Sequence, residues 1–147
     1  MLWRYSQHLF HSHGELWLAR GDHEKALSYA DECIELADES DSKKNIVKGR
    51  RLRGQALLAQ GKLAKAGKEL ATALQIAEEI VNPPQLWKTH AAIGDLRKAQ
   101  GKTDDARQAY REALSVIDGV AGGLKNESLR ETFLSSEHVQ AIRVHLD

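Results

Sequence analysis

Apolar residues recur at steps of three and four along most of this chain, the spacing of one helical face. Ala26, Leu27, Ala30, Cys33, Ile34 and Ala37 predict a helix over about residues 23–39. Leu63, Ala66, Leu70, Ala73, Leu74 and Ala77 predict a second, and Ala106, Ala109, Tyr110, Ala113, Leu114 and Ile117 a third. Each follows a Gly-led break, at Gly21-Asp22, Gly61-Lys62 and Gly101-Lys102-Thr103, with Asp22 and Thr103 as expected N-caps. Asn82-Pro83-Pro84 ends one helix and suits the first turn of the next. Gly119 to Gly123 is expected to loosen the chain, and the polar stretch 38–42 to form a link. Leu129, Phe133, Leu134, Val139, Ile142 and Leu146 predict one or two closing helices over about 126–146.

These segments are copies of one unit. Gly14, Gly54 and Gly94 stand forty residues apart, as do Gly21, Gly61 and Gly101, and Ala26, Ala66 and Ala106. The expected fold is all-α: three helix-turn-helix repeats at about 2–42, 43–82 and 83–122, then a C-terminal cap, all in one domain. A helix pair cannot bury its apolar face alone, so the copies must stack. The second glycine of each copy sits where the chain reverses and needs a left-handed backbone. The first lies inside a helix, where Gly costs about 1 kcal/mol relative to Ala. Three at one phase imply that two helices approach too closely there for a side chain, with Ala26, Ala66 and Ala106 as the expected opposing surface.

The units resemble tetratricopeptide repeats. The motif positions read Phe10, His13, Gly14, Trp17, Ala26 and Ala30 in the first copy. They read Arg50, Arg53, Gly54, Leu57, Ala66 and Leu70 in the second, and His90, Ile93, Gly94, Arg97, Ala106 and Tyr110 in the third. The likeness covers about residues 4–121; Arg and His fill several aromatic positions, and the period is forty rather than thirty-four. The longer unit, with the tail Asn126-Glu127-Ser128-Leu129-Arg130-Glu131-Thr132-Phe133-Leu134, is similar to arrays at the C-terminal end of bacterial signalling ATPases and transcription regulators. The resemblance implies a right-handed superhelical solenoid whose first helices line a concave, partner-binding groove. Carried over residue by residue, that groove takes His8, His11 and Glu15, then Lys48, Arg51 and Gln55, then Lys88, Ala91 and Asp95. The implied function is a protein-interaction scaffold binding a peptide or partner helix, with an acidic ligand favoured by the basic middle. The alternative is a C-terminal sensing fragment of a larger ATPase or transcription regulator. Glu15, Leu52 and Ala92 stand where the family's carboxylate clamp needs other residues, which speaks against chaperone-tail binding.

Charge refines this picture. Lys+Arg and Asp+Glu both number 21, so no global field favours nucleic acid or membrane. Residues 1–42 hold three basic and nine acidic side chains, and residues 43–75 nine basic and one acidic. Within the basic run, Lys43, Lys44, Lys48, Arg50, Arg51 and Arg53 lack interleaved aromatics, so a helix face complementing the acidic first unit is expected over nucleic-acid binding.

No enzyme is expected. Residues 61–68 only mimic a phosphate loop, with the spacing one residue too long and no preceding strand. His8, His11 and His13 cluster without convergent support, so no metal and no cofactor are expected. The lone Cys33 sits in an apolar row and reads as a buried thiol. No leader pattern and no span of about 20 apolar residues occurs, from which a cytoplasmic location is expected. Leu2, Trp3, Leu9 and Phe10 make a broad apolar surface on the first helix, from which homodimerisation through that helix is expected.

Overall fold

A computed structural model describes residues 12–146. All regular structure among them is helical. α1 covers 12–19, α2 His23–Glu39, α3 Lys43–Ala59 and α4 Leu63–Ile80. α5 covers Pro83–Ala99, α6 Thr103–Gly123, α7 Glu127–Leu134 and α8 Glu137–Val144. The chain divides into two compact units, the first ending at Gln85 and the second starting at Leu86.

The three glycine turns share one geometry. Gly21, Gly61 and Gly101 have φ of 83°, 79° and 77°. At each, the glycine N–H donates to the carbonyl three residues back and the next N–H to the carbonyl five back. Gly61 thus bonds Leu58 at 2.9 Å, and Lys62 bonds Leu57 at 2.9 Å. This pair of bonds satisfies the last carbonyls of one helix while reversing the chain. The turns between successive repeats use the same bonds with no glycine at all. Asp41 (φ 54°) and Val81 (φ 48°) take the left-handed position, while Ser42 bonds Ala37 at 2.9 Å and Asn82 bonds Ala77 at 3.4 Å. A β-branched residue there is strained. The Asp41 and Val81 turns are also forty residues apart, a phase hidden because the two residue types differ.

Two expected caps sort differently. Asp22 accepts the Lys25 N–H at 3.2 Å and caps α2. Thr103 instead is the first residue of α6; Lys102 occupies the cap and supplies no side-chain bond. The turn bonds at Gly101 and Lys102 already fix the chain path, so α6 starts one residue beyond them. Asn82 accepts the Gln85 N–H at 3.3 Å and opens α5 at Pro83.

In the first unit, α3 lies between α2 and α4 and is thinned on both sides. A Cβ on Gly49 would come 2.6 Å from Ile34 Cγ1 of α2. A Cβ on Gly54 would come 2.7 Å from Leu70 Cγ of α4. Gly14 faces Leu52, and Gly94 in the second unit faces the Tyr110 ring at 2.5 Å. The close approach is real, but its nearest partners at Gly54 and Gly94 are Leu70 and Tyr110, not the expected alanines. Ala66 and Ala106 are buried one turn earlier, giving the helices room to close. The glycine then seats the larger side chain four residues on.

The second unit gathers Trp87, Ala106, Tyr110, Ala113, Ile117, Val139 and Ile142 into one core. α8 contributes the last two, so both closing helices form and α8 packs onto α6. The expected loosening at 119–123 does not occur: α6 stays helical through Gly123.

Candidate functional site

Of the groove residues drawn from the repeat pattern, Glu15, Lys48, Arg51 and Gln55 lie in the first unit and are described. Lys88, Ala91 and Asp95 lie in the second. His8 and His11, with the apolar set Leu2, Trp3, Leu9 and Phe10, lie outside the described residues.

The basic run on α3 meets several fates. Arg53 bonds Asp31 of α2 through Nε at 2.9 Å and Nη2 at 2.5 Å, and Glu69 of α4 at 3.2 Å. Arg50 bonds Glu69 at 3.1 Å. The acidic first repeat and the one acid of the next stretch therefore neutralise the middle helix from both sides. Lys43 and Lys44 are exposed, Lys48 and Gln55 half-buried and Glu15 exposed.

Arg51 departs from the sequence reading. Expected on a solvent-lined groove, it is only 4% exposed. Its Nη1 donates to Gln85 Oε1 at 2.8 Å. Gln85 is itself 3% exposed and opens α5. Burial pulls the guanidinium down from 12.5 to about 10, and the Glu15 charge opposes the shift. Arg51 thus ties α3 to the first turn of α5 beneath the surface rather than presenting charge on it. Nothing in the sequence flagged Gln85, since a contact 34 residues away has no local pattern.

Cys33 is fully buried, with Sγ 3.6 Å from the Asn45 carbonyl. Desolvation, against a smaller opposing effect of Lys48, pushes the thiol from 9.0 up to about 11.

In the second unit, Asp95 is exposed but engaged. The Tyr110 hydroxyl donates to Asp95 Oδ1 at 2.5 Å. His145 stacks on the Tyr110 ring at 4.3 Å and 3°, with Nε2 3.9 Å from the same carboxylate oxygen. Lys98 Nζ stands 3.5 Å from His145 Nδ1. Lys88 is half-buried, its Nζ 5.5 Å from the Trp87 ring centre, and Ala91 is partly buried against the core.

Burial first, then the Asp95 bond and charge, hold the Tyr110 phenol protonated well above its ordinary value of 10.0. Below pH 10 both folded and unfolded chains keep this proton, and the contribution is complete. Above it only the unfolded chain releases the proton, so stability falls as pH rises. Cys33 acts in the same direction from its ordinary 9.0 upward. Thermal melts should therefore fall with pH above 10 in the parent, and less steeply in Tyr110→Phe, which is less stable at neutral pH. Equal slopes would show that Tyr110 does not carry the effect.

Among the described residues no three His, Cys, Asp or Glu side chains group as a metal site. No described helix is long and apolar enough to cross a membrane. What the geometry does offer is a set of helix pairs with mixed polar residues on their first members.

Helix pairs in a forty-residue register, reversed by identical glycine turns, define a helical-repeat protein. The family model of the tetratricopeptide repeat matches residues 50–117. The crystal structure of the TPR domain of Arabidopsis FLU matches with a TM-score of 0.69 at 20% identity, over 80% of this chain and 98% of that one. No curated protein matches the chain. Residues 50–117 thus match the tetratricopeptide repeat, a fold that generally mediates protein–protein interaction, and the chain shares the fold of the FLU domain.

Proposed function

We propose that this chain is a non-enzymatic interaction module, and that Lys48 and Gln55 on α3 mark the surface that takes an acidic peptide. The observation that carries this reading is the division of α3. Arg50 and Arg53 are spent on Asp31 and Glu69, and Arg51 is buried against Gln85. Lys48 and Gln55 keep part of their surface in solvent on the helix face that Arg51 anchors from below. A surface whose supporting residue is fixed costs little to order when a ligand arrives. The cation and amide on it suit carboxylates and peptide backbone.

The test is binding of the full chain to a peptide array graded from acidic to basic, repeated with Lys48→Glu. Acidic peptides should bind best, with an affinity loss of about tenfold or more in the variant, of the size seen when a charge-assisted contact is reversed. Binding that ignores peptide charge, or that Lys48→Glu leaves untouched, would remove this surface from the account.

A further inference from the structure

Three glycines in this chain have no evident structural task. Gly119, Gly122 and Gly123 all lie in α6, within its last five residues. A Cβ at any of them would meet nothing within 4 Å, and none has a positive φ. They differ in both respects from the close-approach glycines and the turn glycines. Each weakens the helix relative to alanine, because the flexible backbone must be ordered with no side chain to pack. The weakening is concentrated in the turn that leads directly into α7 and α8.

The two closing helices are lightly held. Each is eight residues long, well short of the length at which a helix is stable alone. α7 buries no residue fully and rests only Phe133 and Leu134, partly buried, against the core, and Leu129 and Val144 are 59% and 69% exposed. The junction is pinned by Arg130. Its Nε donates to the Ala121 carbonyl at 3.1 Å and its Nη2 to the Leu124 carbonyl at 2.7 Å. These carbonyls close the end of α6, where the helix dipole favours a cation. Beyond the pin, α8 places Val139 and Ile142 in the core, and His145, which caps it, stacks on Tyr110.

We infer that α7 and α8 form a lid hinged at 119–123 and pinned by Arg130, covering a seat for an amphipathic helix. The seat is Trp87, Tyr110, Ala113 and Ile117. Its present occupant shows what fits: apolar residues three apart, Val139 and Ile142, and a planar ring three further on, His145. A partner helix with that pattern competes with the lid for the seat. The hinge and the seat belong to the second unit and do not depend on the peptide surface proposed for α3.

Hydrogen exchange on the full chain tests the hinge. Amides of α7 and α8 should exchange together, faster than those in the first half of α6. Replacing Gly119, Gly122 and Gly123 by alanine together should slow them about tenfold or more. Arg130→Ala should speed them about tenfold, the scale of losing hydrogen bonds from a charged group. Helices α3 and α4 should be unaffected by either change. The seat is tested with a labelled synthetic peptide of residues 126–146. It should bind the Arg130→Ala chain at lower concentration than the parent, and an Ile142→Asp version should not bind. Lid amides that exchange no faster than α6 and ignore the alanines would overturn the hinge. An opened Arg130→Ala chain that leaves the peptide unbound would overturn the seat. Loss of acidic-peptide binding through Lys48→Glu is read separately and bears on neither.

Discussion

Gly54→Leu is expected to destabilise the chain by about 3 kcal/mol or more, lowering the melting temperature by roughly 10 °C. A Cβ alone would stand 2.7 Å from Leu70 Cγ and 2.8 Å from Leu70 Cδ2, with the Ala66 carbonyl oxygen 3.4 Å away. Leu70 cannot give way, because it is fully buried. The remaining leucine atoms would have to part α3 from α4. α3 cannot retreat in the other direction, since Gly49 is pressed against Ile34 of α2. Differential scanning calorimetry of parent and variant checks this, and an unchanged transition would contradict the close approach.

Arg51→Glu carries the second large effect, a loss of about 3–5 kcal/mol, the range for leaving a buried charge uncompensated. The new carboxylate would lose the bond to Gln85 Oε1, which needs a donor, and would feel the Glu15 charge as repulsion. Arg51→Met should cost less, about 1–3 kcal/mol, chiefly for the Gln85 oxygen left without its donor. Chemical denaturation of the two variants measures the difference. Equal and small losses would mean that Arg51 lies at the surface after all. The same burial makes Arg51→Glu a poor probe of binding, because it damages the fold, whereas Lys48 keeps part of its surface in solvent.

The repeated parts of the fold were legible because one physical constraint recurs. A left-handed turn selects glycine at 21, 61 and 101, and a tight crossing selects it at 14, 54 and 94, so phase alone exposes both. The apolar rows on α2, α4 and α6 could be read for the same reason. Where different residues meet one constraint the signal disappeared, as at the left-handed Asp41 and Val81. Thr103 misled because a good capping residue was present where the turn had already set the helix start. Gly119, Gly122 and Gly123 misled because glycine lowers helix stability without forbidding helix.

The candidate surface was less legible. Repeat position says which residues share a helix face, but not how deep each one lies. Lys48, Arg51 and Gln55 share a face, yet Arg51 is buried by Gln85, a residue from another helix. Pairing of Arg50 and Arg53 with Asp31 and Glu69 was foreshadowed only in bulk, by an acidic stretch preceding a basic one. The link from Tyr110 to Asp95 and His145 joins residues up to 50 apart that no local pattern connects.

The most direct measurement sets two identical substitutions against each other: the melting temperatures of Gly54→Ala and Gly119→Ala. Both gain about 1 kcal/mol of intrinsic helix preference. At Gly119 the new methyl enters open space, while at Gly54 it meets Leu70. Gly119→Ala should therefore melt above the parent and Gly54→Ala below it. Shifts of the same sign would contradict the claim that the phased glycines of this chain are there to let its helices touch.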